Sequence, residues 1–115
     1  MFVGVLRLTL QIPGARSLKD RRRVVRSFKD RLRAKLQLSV AEVGALDLHQ
    51  MAVIGVAAVS NDAAQIDEMM ASAAAMADGL PDAVLIDRAL EIVSFGREGR
   101  GVGTRAPKIG REQGG

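Results

Sequence analysis

Hydrophobic and polar positions alternate from the first residues of the chain. Leu6, Leu8, Leu10 and Ile12 take one parity, and Arg7, Thr9 and Gln11 take the other, which is the period-two pattern of a strand with one buried face. Pro13-Gly14 ends the pattern, since proline withholds a ladder donor and glycine opens turn conformations. Beyond Ser17 the period changes. Leu18, Val24, Val25, Phe28, Leu32 and Leu36 gather on one stripe when residues are placed about 100° apart, so a helix is predicted. Ser17 is placed to cap it, and Asp20 in the first turn suits the positive end of the helix dipole.

"LSVAEVGA" at 38–45 reads as a second strand, "LDLHQ" at 46–50 as a turn, and "MAVIGVAAVS" at 51–60 as a third strand. The third is apolar at nearly every position, so both of its faces are expected to be covered. Asn61 or Asp62 caps the next helix, and Asp62 with Gln65 has capping-box spacing. That helix runs to about Asp78, with Ile66, Met70, Ala73 and Ala77 on one stripe; small residues there permit close packing on a sheet, and the methionines fill core gaps. Gly79 and Pro81 end it, and "AVLIDRALEIVSF" at 83–95 is a fourth strand. The order β-α-β-β-α-β is that of a ferredoxin-like α+β fold, a four-stranded antiparallel sheet with two helices on one face. Residues 1–95 are expected to form one domain, and 96–115, with seven glycines in twenty residues, a flexible Gly/Arg-rich basic tail.

Charge adds what the periodicity leaves out. The net charge is only +4, yet residues 16–36 carry ten basic and two acidic residues, while 37–94 carry one arginine against nine acids. On the first helix Lys19, Arg22, Arg23, Arg26, Lys29 and Arg33 fall together opposite the apolar stripe. Arg21 and Lys35 intrude on the stripe near its ends, where their stems are expected to snorkel, and Arg31 flanks it. Asp30 is spaced to pair with Arg26 or Arg33. Such polarisation suits a polyanion. The competing reading is pairing of the basic helix with the acidic body, within one molecule or between two.

Most site chemistries lack their residues. Cysteine is absent, so disulfides, thiol catalysis and thiolate-bound zinc are excluded. His49 is the lone histidine, with no carboxylates at ligand spacing and no marked nucleophile, so neither a metal nor another cofactor is expected. Some ferredoxin-like domains are acylphosphatases, and Arg16 in "IPGARS" could attract an anion. However, Pro13 removes a backbone donor and the second strand has no asparagine to position a water, which leaves this a distant third reading. Phe2, Phe28 and Phe95 are the only aromatics, too few for base stacking on the sheet. RNA, if bound, is expected electrostatically, through the first helix and tail.

On the side of the sheet away from the helices, Val3 and Val5 with Val53, Gly55, Ala57 and Val59 would form an apolar face. A symmetric homodimer is its simplest cover. No stretch reaches the about 18 apolar residues of a membrane span, and the opening reads as a strand and not as a signal peptide, so the cytosol is the expected location.

The runs "SLKDRRRVVRS", "SVAEVG" and "AVIGVAAVSND" resemble the YlxP-like family of small bacterial proteins of unknown function. The resemblance implies a ferredoxin-like fold and, from gene neighbours concerned with translation initiation and ribosome maturation, a role in RNA or ribosome biology. It carries no catalytic residue. It picks out Ser17, Leu18, Lys19 and Arg22 to Arg26, then Glu42, Gly44, Asp47, Gln50 and Asn61-Asp62. Glu42 is read as the partner of a basic residue, on the first helix or on another molecule. His49 stands where the family often has an aromatic. The leading expectation is a non-enzymatic RNA- or ribosome-associated protein, and the rival is a homodimeric protein-interaction module.

Overall fold

Pattern and structure agree closely on the elements. A computed structural model describes residues 1–96 as β1 (Phe2–Gln11), α1 (Leu18–Leu36), β2 (Ser39–Gly44), β3 (Met51–Ser60), α2 (Ala63–Asp78) and β4 (Val84–Ser94). The tail read over 96–115 lies, apart from Gly96, outside the described residues. The four strands make one antiparallel sheet in the order β2-β3-β1-β4. This is the ferredoxin-like α+β fold.

Each strand of the central pair turns one parity inward. Leu6, Leu8 and Leu10 of β1 and Ala52, Ile54 and Val56 of β3 are buried beneath the helices. Helix α1 adds Val25, Phe28 and Leu32, and α2 adds Ile66, Met70, Ala73, Ala74 and Ala77. Helix α1 lies over β2 and β3, whereas α2 lies over β1, β3 and β4. The alanines let α2 approach β1 closely, and Gly4 completes the fit, because a Cβ there would collide with Ile66 Cγ2.

Both helices begin as their caps predict. Ser17 Oγ accepts from Asp20 N at 3.2 Å, and Asp62 Oδ1 accepts from Ala64 N at 3.0 Å. The second capping box differs from expectation. Ser60 Oγ donates to Gln65 Oε1 at 2.8 Å and accepts from Asp62 N at 3.1 Å. The Ser60 hydroxyl, being donor and acceptor at once, relays the contact that a direct Gln65 to Asp62 bond would make.

Three further expectations are corrected. Leu18 is 41% exposed, and Arg21 takes the inner position of that first turn at 5%. Arg21 therefore does not snorkel outward. The third strand is not covered on both faces by the described residues: Val59 is 62% exposed. Since both helices sit on one side of the sheet, the apolar outer parity of β3 is shielded only by its neighbours β1 and β2. The fourth strand is an edge with a bulge, its register shifting between Leu85 and Asp87 so that Ile86 has no partner on β1.

Candidate nucleic-acid interface

Helix α1 presents its cations because its inner side is fully occupied. With Val25, Phe28 and Leu32 directed into the core, the 3.6-residue period turns Lys19, Arg22, Arg26, Lys29 and Arg33 outward at spacings of three and four. They form one line along the helix, about 21 Å long at 1.5 Å per residue. Lys19, Arg22, Arg23, Arg26 and Arg33 are exposed and Lys29 is half-buried.

The members of the set are not equally available. Arg23 Nη2 lies 3.6 Å from Asp20 Oδ1. Arg33 Nη2 donates to the Val40 carbonyl at 2.9 Å, and its Nη1 lies 3.8 Å from Asp30 Oδ1. Arg33 thus ties the end of α1 to β2, and it is Arg33, not Arg26, that Asp30 takes. Lys19, Arg22, Arg26 and Lys29 have no ion pair among the described residues. Among the described residues, pairing of the basic helix with the acidic body is confined to one ion pair, and that pair is on the inner side.

That inner pair is what the helical wheel missed. Arg21 Nη2 donates to Glu42 Oε1 at 2.7 Å, Arg21 Nε donates to the Met51 carbonyl at 2.7 Å, and Nη2 also reaches the Ala45 carbonyl at 3.4 Å. The side chains of Arg21 and Glu42 are only 5% and 18% exposed. Glu42 shares the inward parity of Val40 on β2, which is the signal by which this partner was legible. The same region is laced by Gln50, whose Nε2 donates to the carbonyls of Pro13 at 3.3 Å and Ala15 at 3.4 Å. Glu42 and Gln50 therefore join the β1–α1 loop, α1 and the β2–β3 turn, while Asp47 and His49 are exposed in that turn. Arg16 is also exposed, its N–H donating to Asp20 Oδ2 at 3.0 Å.

The outer parities of β1 and β3 share the sheet face away from the helices, on which Val3, Val53 and Ala57 are half-buried. Val3 pairs in register with Val59 and Val5 with Ala57, and Val53 lies opposite Thr9. Val5 and Val59 are strongly exposed, with Val93 of β4 beside them opposite Val3. Arg7 and Asp87, paired at 3.2 Å, interrupt this face with charge. Among the described residues no group of three His, Cys, Asp or Glu could hold a metal ion, and no helix is long and apolar enough to cross a membrane.

Fold and surface together define a small ferredoxin-like α+β protein whose first helix is cationic along its outer side. A family model described as "Protein of unknown function (DUF503)" matches residues 3–89. The uncharacterized protein YlxP of Bacillus subtilis (strain 168) is 30% identical over 80 residues, covering 70% of this chain and 87% of that protein. The chain belongs to the DUF503, YlxP-like family.

Proposed function

We propose that the protein is a non-enzymatic, cytosolic RNA-binding protein, associated with RNA or the ribosome, that tracks phosphates along the outer face of α1. The observation that carries this reading is the line Lys19, Arg22, Arg26, Lys29 and Arg33. Four of these five charges have no ion pair among the described residues. Burying the inner stripe requires polar residues outside, but not that they be of one sign. Arg23 adds a sixth cation beside the line.

With about five phosphate contacts, affinity for single-stranded RNA falls with salt at a log–log slope of about −3.5. The test is RNA binding and ribosome co-sedimentation at graded salt, comparing the native protein with an Arg22→Glu, Arg26→Glu, Lys29→Glu variant. Arg33 is left alone because it also holds Val40. Loss of binding in the variant supports the reading, and unchanged binding overturns it.

A second reading rests on the open sheet face, where the exposed Val5, Val59 and Val93 surround the half-buried Val3, with Glu91 opposite Val5. A second copy packed on this face removes them from water. Sedimentation equilibrium of the native protein and of Val59→Lys checks it; a native monomer excludes it.

A further inference from the structure

A cleft of about 710 Å³ lies between the flank of α1, the β1–α1 loop and the α2–β4 connection, within the range of about 300–1,000 Å³ typical of small-molecule sites. Its floor is apolar and buried, formed by Ile12, Ala15, Leu80 and Ala83. One wall is α1, which contributes Asp20, Arg23, Ser27 and Arg31, the last three at successive spacings of four, with the Asp20 carboxylate beside Arg23. They lie on the cleft flank of the helix, next to the outward line but distinct from it. Pro13 and Pro81 also line the cleft, and Asp82 is the acid on the side away from α1.

The fold does not use this polar wall. Among the described residues Arg31 makes no ion pair and no side-chain hydrogen bond, and neither does the Ser27 hydroxyl. Arg23 is held only by the 3.6 Å contact to Asp20, with its side chain 74% exposed. Arg23 and Arg31 leave the helix about 12 Å apart along its axis, and each guanidinium stands on a long flexible stem, so the two can converge on one anion above Ser27. Guanidinium forks match phosphate oxygens with paired N–H donors. The floor asks for a body that is flat and weakly polar, and Asp82 asks for a donor at its far side.

We infer that this cleft binds a nucleotide, with its phosphate between Arg23 and Arg31, its base over Ile12, Leu80 and Ala83, and an amino or hydroxyl group donating to Asp82. The inference deepens the RNA reading and rests on it for one source of the ligand, an unstacked nucleotide of a bound strand. A free mononucleotide is the other source. The outward line of α1 then supplies affinity without selectivity, and the cleft reads one base unit, as single-strand recognition generally requires.

The test is an amide-resolved NMR titration of the full chain with inorganic phosphate, with adenosine and uridine monophosphates, and with a short single-stranded RNA. Arg31→Ala and Ser27→Leu are compared with the native protein, their folding checked by thermal melts. The expected result is a shift of the Ser27, Leu80 and Ala83 resonances with RNA, weakened about tenfold or more in Arg31→Ala, with the salt slope reduced by about 0.7, the share of one phosphate contact, and the rest still set by the outer line. Shifts with mononucleotides as well identify the free ligand as a source, and shifts with RNA alone identify the strand. Inorganic phosphate reproducing the whole pattern, or RNA binding that leaves the cleft resonances and both variants unaffected, overturns the inference while the RNA reading stands. Mononucleotide shifts in the cleft without RNA binding overturn the RNA reading and leave the cleft. A native protein that binds neither overturns both.

Discussion

The two helices do the same work for the sheet and differ in almost everything else. Helix α1 buries large residues, Val25, Phe28 and Leu32, whereas α2 buries three alanines besides Ile66 and Met70. Helix α2 gains its contact by coming near, and α1 by reaching down. Their outer sides differ more. Helix α1 carries nine basic residues, and α2 carries none, with Asp67, Glu68 and Asp78 as its charges. The fold demands an inner stripe from each helix and is indifferent to the sign of the outer charge. What α1 has and α2 lacks is therefore not required by the packing of the sheet.

The strongest way to break this contrast is at the one place where α1 carries a charge inward. Replacing Arg21 with alanine leaves Glu42 buried and unpaired, and is expected to cost about 3–5 kcal/mol, read as a fall in the denaturation midpoint. If Arg21→Ala melts with the native protein, the pair is not a structural anchor. Next is the close approach of α2. Gly4→Ala forces Ile66 aside at a cost of about 1–3 kcal/mol, and an Ile66→Ala background is expected to relieve part of it. The caps rank third: Ser17→Ala and Asp62→Ala each lower stability by about 1 kcal/mol, seen as matched losses for the two helices. Smaller and opposite in sign is Gln37→Gly at the end of α1, where Gln37 holds φ at 55°. Glycine relaxes that left-handed conformation and is expected to raise stability by up to about 1 kcal/mol. The smallest effect is expected on the outer line, where Arg22→Glu with Arg26→Glu shifts stability by no more than about 0.5 kcal/mol per site, measured by chemical denaturation.

Elements were legible because each boundary has its own local chemistry. Pro13-Gly14 stops β1, Ser17 and Asp62 start the helices, and Gly79 with Pro81 releases the chain toward β4. The outer line of α1 was legible for the same reason, since a helical wheel sorts residues by angle. What the wheel cannot supply is a partner. Arg21 was placed on the apolar arc correctly, but its fate depended on Glu42, 21 residues away on β2. Likewise the wheel offers Arg33 only Asp30 as a partner, yet Arg33 is also held by a carbonyl of β2 that no side-chain pattern announces. The bulge at Ile86 and the open outer parity of β3 were hidden too, because both depend on where a strand sits in the sheet. The cleft was the least legible feature. Arg31 only flanked the stripe, and the residues opposite it come from a loop 50 positions downstream.

The position of β1 has a consequence for how this chain comes into being. It precedes both of its partners in the chain, yet it lies in the middle of the sheet, with β3 on one side and β4 on the other. Phe2 is registered against Ser94, and the Met1 amine donates to the Phe95 carbonyl at 2.9 Å. An emerging chain therefore carries an apolar strand with two open edges until Met51–Ser60 is available, and one open edge until Val84–Ser94 follows. Closure over such sequence distances is slow compared with helix formation. During that interval the basic α1 has been synthesised but has no complete sheet to pack on. Fusions at the first residue act on the last closure of the sheet, and truncations before Ser94 leave β1 half paired.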